Sequence, residues 1–173
     1  AEQADLHLMP RPGTDGALAC AVMHVLFKEG FADRAYLARY TDCPDALEAH
    51  LASRDPAWAE GVSGVPAASI VEFARLYGRT PRAYLRMGWG FSRQRNGVAN
   101  VHAVSCLPAI TGAWQHRGGG AHWAYSIYRL NKSAIEGVAL GPSAARAMDQ
   151  SRIGAALTGE ADELKGGPPV DRK

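Results

Sequence analysis

The stretch Met87-Gly88-Trp89-Gly90-Phe91-Ser92-Arg93-Gln94-Arg95-Asn96-Gly97 constrains this chain more than any other. Before it, Ala83, Leu85 and Met87 alternate with Arg82, Tyr84 and Arg86, the period-two pattern of a strand. After it, Asn96 and Gly97 start a helix through Val101, Val104 and Leu107, bent at Pro108 where an internal hydrogen bond is lost. Strand, Gly-rich turn and helix in that order describe an α/β unit of the nucleotide-binding type. Glycine suits such a turn because it has no Cβ and tolerates positive φ, so backbone amides can approach a phosphate. Between Glu72 and Glu136 the chain carries eight Arg and one Lys with no Asp or Glu, a formal +9, whereas the whole chain is +2 and the remainder −7. That division points to an anionic ligand for the middle third more than to a generally basic protein.

Two familiar nucleotide signatures are excluded. The GxGxxG fingerprint needs a third Gly where Arg93 stands, and no acidic residue follows until Glu136. No Gly precedes a Lys-Ser/Thr pair at P-loop spacing. One helix-terminus interaction contributes about 0.3–1 kcal/mol, whereas micromolar affinity takes about −8 kcal/mol. One turn therefore cannot hold a dinucleotide, and several must converge on it.

At 173 residues and 47% hydrophobic content, the chain has the size of one domain able to bury a core. Cys20, Cys43 and Cys106 stand far apart with no CxxC pair, which fits reduced, mostly buried thiols and no zinc or iron–sulfur ligand set. The longest apolar run, Ala17 to Phe27, is too short to span a membrane. The chain opens on Ala1 with no signal-peptide pattern and leads straight into structured-looking sequence, as an internal segment of a longer protein would.

Leu6 to Met9 reads as a short strand or its exit, stopped by Pro10-Arg11-Pro12-Gly13. Thr14 or Asp15 then caps a helix with Leu18, Ala21, Val22, Val25 and Leu26 on its apolar stripe, ending at Lys28 and Gly30. Asp33 and Asp45 are placed to cap two shorter helices, Asp55-Pro56 starts a third, and Gly64-Val65-Pro66 opens a fourth with Ile70, Phe73, Ala74 and Tyr77 on one face. Gly118-Gly119-Gly120 is a second flexible turn, Ala121 to Ala145 lacks a period and reads as irregular, Asp149 to Leu157 as a short helix, and Gly166 to Pro169 as a loop.

Taken together, several segments resemble the molybdopterin oxidoreductases of the dimethyl sulfoxide reductase family. They are Ala4-Asp5-Leu6-His7-Leu8, Arg11-Pro12-Gly13-Thr14-Asp15-Gly16-Ala17-Leu18, Gly88-x-Gly90-x-x-x-Gln94-x-Asn96-Gly97, Leu107-Pro108-Ala109-Ile110-Thr111-Gly112-Ala113-Trp114 and Gly118-Gly119-Gly120. The resemblance covers nearly the whole chain. It implies a Rossmann-like α/β domain spanning 1–173, with several helices around a partial, mainly parallel sheet, inside the large catalytic subunit. Such a subunit binds two molybdopterin guanine dinucleotides around a molybdenum or tungsten ion. Carried over by position, Gly13, Thr14 and Asp15 lie near the guanosine-phosphate part of one cofactor, with the Thr hydroxyl and backbone amides as donors and the carboxylate as acceptor. Gly88, Gly90, Gln94, Asn96 and Gly97 form the second contact surface. Thr14 and Asp15 also have a plain reading as a helix cap, and the two roles are compatible.

The resemblance also implies what would lie elsewhere. An iron–sulfur cluster and the metal-ligating Cys, selenocysteine or Ser belong before Ala1, and a further cofactor-binding domain after Lys173, so this segment alone is expected to be inactive. Expected partners are the other domains of the same subunit, an iron–sulfur electron-transfer subunit and a small-molecule substrate. Localisation stays open, cytoplasmic by default and periplasmic if a twin-arginine signal lies upstream. A subunit related to the large iron–sulfur subunit of complex I, relaying electrons without molybdenum, is the competing class, disfavoured by the intact Pro-Gly-Thr-Asp and Asn-Gly positions.

Other residues support no sharper site. His116 and His122 flank the Gly triplet without an Asp, Glu or Cys nearby, which fits loop histidines better than a metal pair. Arg86, Arg93 and Arg95 suit pyrophosphate equally as they suit a solvated or interdomain surface. Trp89, Phe91, Trp114 and Trp123 match no nucleic-acid module. Ser92 and Ser105 lie in no GxSxG elbow.

Overall fold

In a computed structural model of the chain, the structure describes residues 2–123 together with 154 and 158. Ala1–Tyr125 forms one compact unit and Ser126–Lys173 a second. In the second, Gly154 and Thr158 are helical. The helix expected over Asp149 to Leu157 otherwise lies outside the described residues, as do the loop at Gly166 to Pro169 and the irregular stretch beyond Trp123.

The first unit is α/β. Its helices are α1 (Asp15–Lys28), α2 (Arg34–Tyr40), α3 (Pro44–Leu51), α4 (Pro56–Ser63), α5 (Ala67–Gly78) and α6 (Gly97–Ile110), with strands β1 (Tyr84–Met87) and β2 (Gly120–Trp123). Helix α1 is the centre, packed against α3, α4, α5 and α6. Its expected stripe is buried at Ala21, Val22, Val25 and Leu26, and Ala19, Met23 and Phe27 are buried as well. A helix enclosed on several sides needs apolar residues on more than one face, which a single stripe understates. On α5, Ile70, Ala74 and Tyr77 face this core, with Phe73 packed at its margin.

Strands β1 and β2 pair in parallel, Tyr84 opposite Gly120 through Met87 opposite Trp123. A parallel pair requires a crossover, and α6 supplies it. The Ala121 end of the stretch expected to be irregular is therefore strand, formed because β1 offers a partner rather than because Gly-Ala-His-Trp has a strand pattern. Leu6 to Met9 is the reverse case. It adopts no strand, having no partner among the described residues, and Leu8 packs on the core instead. Between β1 and α6 the expected Gly-rich turn is present, and Trp89–Arg93 within it form a 3-10 turn.

The caps at Asp33 and Asp55 form as expected, accepting from the Tyr36 and Trp58 amides at 2.9 and 2.8 Å. Asp45 does not cap. Pro44 occupies the first turn of α3, so Cys43 takes the cap position and Asp45 falls inside the helix. Cys43 is consequently exposed, whereas Cys20 and Cys106 are half-buried, and all three thiols are free. No helix among the described residues is long and apolar enough to cross a membrane.

Candidate functional site

The turn before α1 is built by its own backbone and by two neighbouring helices. Gly13 has φ +84°, a left-handed value that favours glycine. The Arg11 carbonyl accepts from the Thr14 amide at 3.1 Å and from the Thr14 hydroxyl at 2.6 Å. Thr14 occupies the cap position of α1 without a side-chain cap bond. The Arg11 amide donates to the Ser63 carbonyl at 2.8 Å, and Arg11 Nη1 donates to the Gly61 and Val62 carbonyls at 3.0 and 3.2 Å. A guanidinium at the end of α4 satisfies carbonyls that the helix leaves open and complements its dipole.

Helix α6 holds the other side. Asn96, at its cap position, donates from Nδ2 to the Gly13 carbonyl at 2.7 Å. One turn later, Asn100 donates to the same carbonyl at 3.2 Å and accepts the Gly16 amide on Oδ1 at 3.0 Å. Asn100 is 3% exposed. The fit leaves no room for side chains on the turn: a Cβ on Gly16 would lie 2.6 Å from Asn100 Oδ1, and one on Gly13 would run into the Gln94 side-chain oxygen.

Gly13, Gln94 and Asn96, from two segments separated in sequence, are thus brought together. Gly97 is buried at the start of α6, its amide bonded to the Gln94 carbonyl at 3.0 Å. Gly88 ends β1 with φ −97°, and Gly90 lies in the 3-10 turn. Neither has positive φ, and a Cβ on either would meet nothing within 4 Å. Their lack of a side chain is not required by packing within this unit.

The donors of the α1 turn are largely used. Besides the Thr14 amide and hydroxyl, the Gly16 amide is held by Asn100, and those of Ala17 and Leu18 bond the Thr14 carbonyl at 3.0 and 3.2 Å. The Asp15 carboxylate is different. It is half-buried and takes part in no hydrogen bond or ion pair among the described residues. Thr14 therefore presents oxygen lone pairs, and Asp15 an unengaged acceptor.

Beside the turn runs a groove of about 450 Å³, with Gly13, Asn96 and Asn100 at its rim and Cys20, Trp58 and Cys106 among its lining. Burial pushes both thiols up from their ordinary pKa, for Cys20 with Arg54 opposing and Cys106 adding to the shift. These groups stay protonated and poorly nucleophilic. Arg86, Arg93 and Arg95 are exposed and make no ion pair among the described residues, while Arg75 is engaged by Glu29 at 2.9 Å. His116 is exposed, His122 is half-buried on β2, and no cluster of three or more metal-ligating side chains occurs among the described residues.

Asn100, Gly16 and Arg11 have structural roles in the site that sequence reasoning left unassigned. The only hint is the Asn96/Asn100 pair, four apart at the start of a helix, and neither the burial of Asn100 nor its partners can be read from that spacing.

Residues 1–165 match the family model of the molybdopterin oxidoreductases. The chain is 40% identical over 134 residues to the probable oxidoreductase YoaE of Bacillus subtilis, covering 77% of this chain and 20% of that protein. It is 32% identical over 139 residues to the dimethyl sulfoxide reductase DmsA of Haemophilus influenzae, covering 69% and 17%. It thus spans about a fifth of the length of these relatives. Among solved structures, acetylene hydratase from Pelobacter acetylenicus shares the fold with a TM-score of 0.62 and 23% identity, over 65% of this chain and 15% of that one.

Proposed function

The chain belongs to the molybdopterin oxidoreductase family, and on that premise we propose that it forms one part of the cofactor-binding framework of a larger oxidoreductase subunit, contacting a molybdopterin guanine dinucleotide. The observation that carries the reading is the Asp15 carboxylate, unengaged among the described residues on a turn fixed from two sides. Asp15 is the acceptor for N–H or O–H donors of the guanosine part. Thr14 contributes oxygen lone pairs, because its own protons are committed to Arg11. Gln94 and Asn96 border the same turn, and the open space at Gly88 and Gly90 suits close approach of a ligand to the backbone. Arg93 and Arg95, in no ion pair among the described residues, supply positive potential suited to a pyrophosphate. These features fit such a group: oxygen acceptors suited to nucleoside donors, and glycines that leave the backbone open.

When bound, the cofactor supplies a redox-active molybdenum or tungsten that exchanges electrons, and often an oxygen atom, with a small substrate, while the protein supplies binding and orientation. An iron–sulfur electron-transfer subunit is the proposed partner, and the metal ligand and any iron–sulfur cluster belong to other parts of the proposed subunit. The test is elemental analysis with pterin extraction on the full-length protein purified without air. Molybdenum or tungsten near one per chain, with guanine-bearing pterin, is expected. Iron without either metal or pterin would instead assign an electron-relay role. Asp15→Asn, which keeps the size but loses the charge, is expected to lower retained pterin about tenfold, as loss of a charged hydrogen-bond acceptor does.

A further inference from the structure

We propose that Asn100 is the positioning residue that sets the cofactor-binding turn, acting on Asp15 through the backbone on either side of it; this rests on the function proposed above. Its amide oxygen takes the Gly16 amide at 3.0 Å and its amide nitrogen reaches the Gly13 carbonyl at 3.2 Å. The peptide groups before Thr14 and after Asp15 are both pinned by the same side chain. Thr14 cannot do this, since its hydroxyl turns back to Arg11 and leaves α1 without a local side-chain cap. The cap comes instead from another helix, 84 residues further along the chain.

Three features mark this as an assigned position. Asn100 is nearly fully buried, where an amide is unfavourable unless satisfied. Asn96, one helical turn earlier, donates to the same Gly13 carbonyl and reaches Asn100 Oδ1 at 3.4 Å, so the pair forms a small network with one geometry. Glycine at position 16 allows the approach, since a methyl there would meet Asn100 Oδ1 at 2.6 Å. The backbone on either side of Asp15 is therefore held by α6 in addition to the turn's own bonds to the Arg11 carbonyl.

The test compares wild-type full-length protein with Asn100→Ala, Asn100→Asp and Ile70→Val. Asn100→Ala removes the bond to the Gly16 amide and one of the two bonds to the Gly13 carbonyl, leaving that from Asn96. Asn100→Asp keeps an acceptor for the Gly16 amide but sets an oxygen against the Gly13 carbonyl. Ile70→Val trims a buried side chain of α5, away from the turn. Retained pterin and molybdenum per chain are measured after gel filtration, alongside the thermal midpoint and the Gly16 amide exchange rate of cofactor-free protein. Asn100→Ala is expected to lose about tenfold or more in retained pterin, the usual scale for a partner that orients a ligating group. Asn100→Asp should lose less, and Ile70→Val should retain its pterin whatever its midpoint. Faster Gly16 exchange is expected in Asn100→Ala. Wild-type occupancy in Asn100→Ala and Asn100→Asp, or a pterin loss in all three variants that tracks the midpoint, would overturn the role of Asn100 alone. A wild-type protein without pterin would overturn the function on which it rests, and this role with it.

Discussion

Four glycines near the site divide by what surrounds them. A methyl on Gly16 would run into Asn100 of α6 and one on Gly13 into the tip of the Gln94 side chain, whereas Gly88 and Gly90 face open space. Gly16→Ala should therefore cost about 1–3 kcal/mol, the usual penalty for forcing extra volume into a packed contact. Gly88→Ala and Gly90→Ala should stay within about 0.5 kcal/mol of the wild type. Urea denaturation of all three checks the division. A large loss at Gly88 would show that its space is filled within the chain. The turn itself was legible from Pro-Gly-Thr-Asp. The use of the Thr14 hydroxyl was not, because a Thr at a cap position reads as a cap until the Arg11 carbonyl is seen to compete for its proton. Asn100 was illegible for another reason: its partners lie 84 and 87 residues away in sequence.

Helix starts were readable where one residue decided them. Asp33 and Asp55 cap because each precedes its helix with no rival, whereas Pro44 fixes the start of α3 ahead of Asp45. Strand β2 was unreadable because its four residues become a strand only through β1. Asp33 also offers a pH test. The Tyr36 amide, and then the Gln115 side chain at 2.9 Å, hold its carboxyl below the ordinary aspartate pKa. A depressed folded pKa means that the stabilisation is present above the unfolded value and is lost as pH falls through the folded one. Asp33→Asn should thus flatten the fall in thermal midpoint below about pH 4, and an unchanged slope would exclude this linkage. At α4, Arg11→Ala removes two hydrogen bonds to the helix end, with an expected loss of about 1 kcal/mol each at most. Its denaturation midpoint measures that loss.

Across the whole molecule, the three thiols provide a simple probe of packing. Cys43 is exposed, while burial raises the pKa of Cys20 and Cys106. A thiol reagent at neutral pH should label Cys43 first, and the half-buried, groove-lining pair more slowly. Mass spectrometry of the labelled peptides would show the order, and labelling of Cys106 as fast as Cys43 would contradict its half-burial and raised pKa. The charge division also takes a more particular form than composition suggested. Arg75 of the carboxylate-free stretch is bound to Glu29, the residue that follows α1, so part of that positive charge is neutralised within the fold. The clamp on the α1 turn has a consequence in time. Residues 13 and 16 are held by side chains at 96 and 100, so a ribosome adding about 5–20 residues per second delivers the turn roughly 4–17 seconds before its clamp. A ligand that needs the turn in this shape cannot find it on the nascent chain until α6 has emerged, which makes capture a late event in the life of the polypeptide.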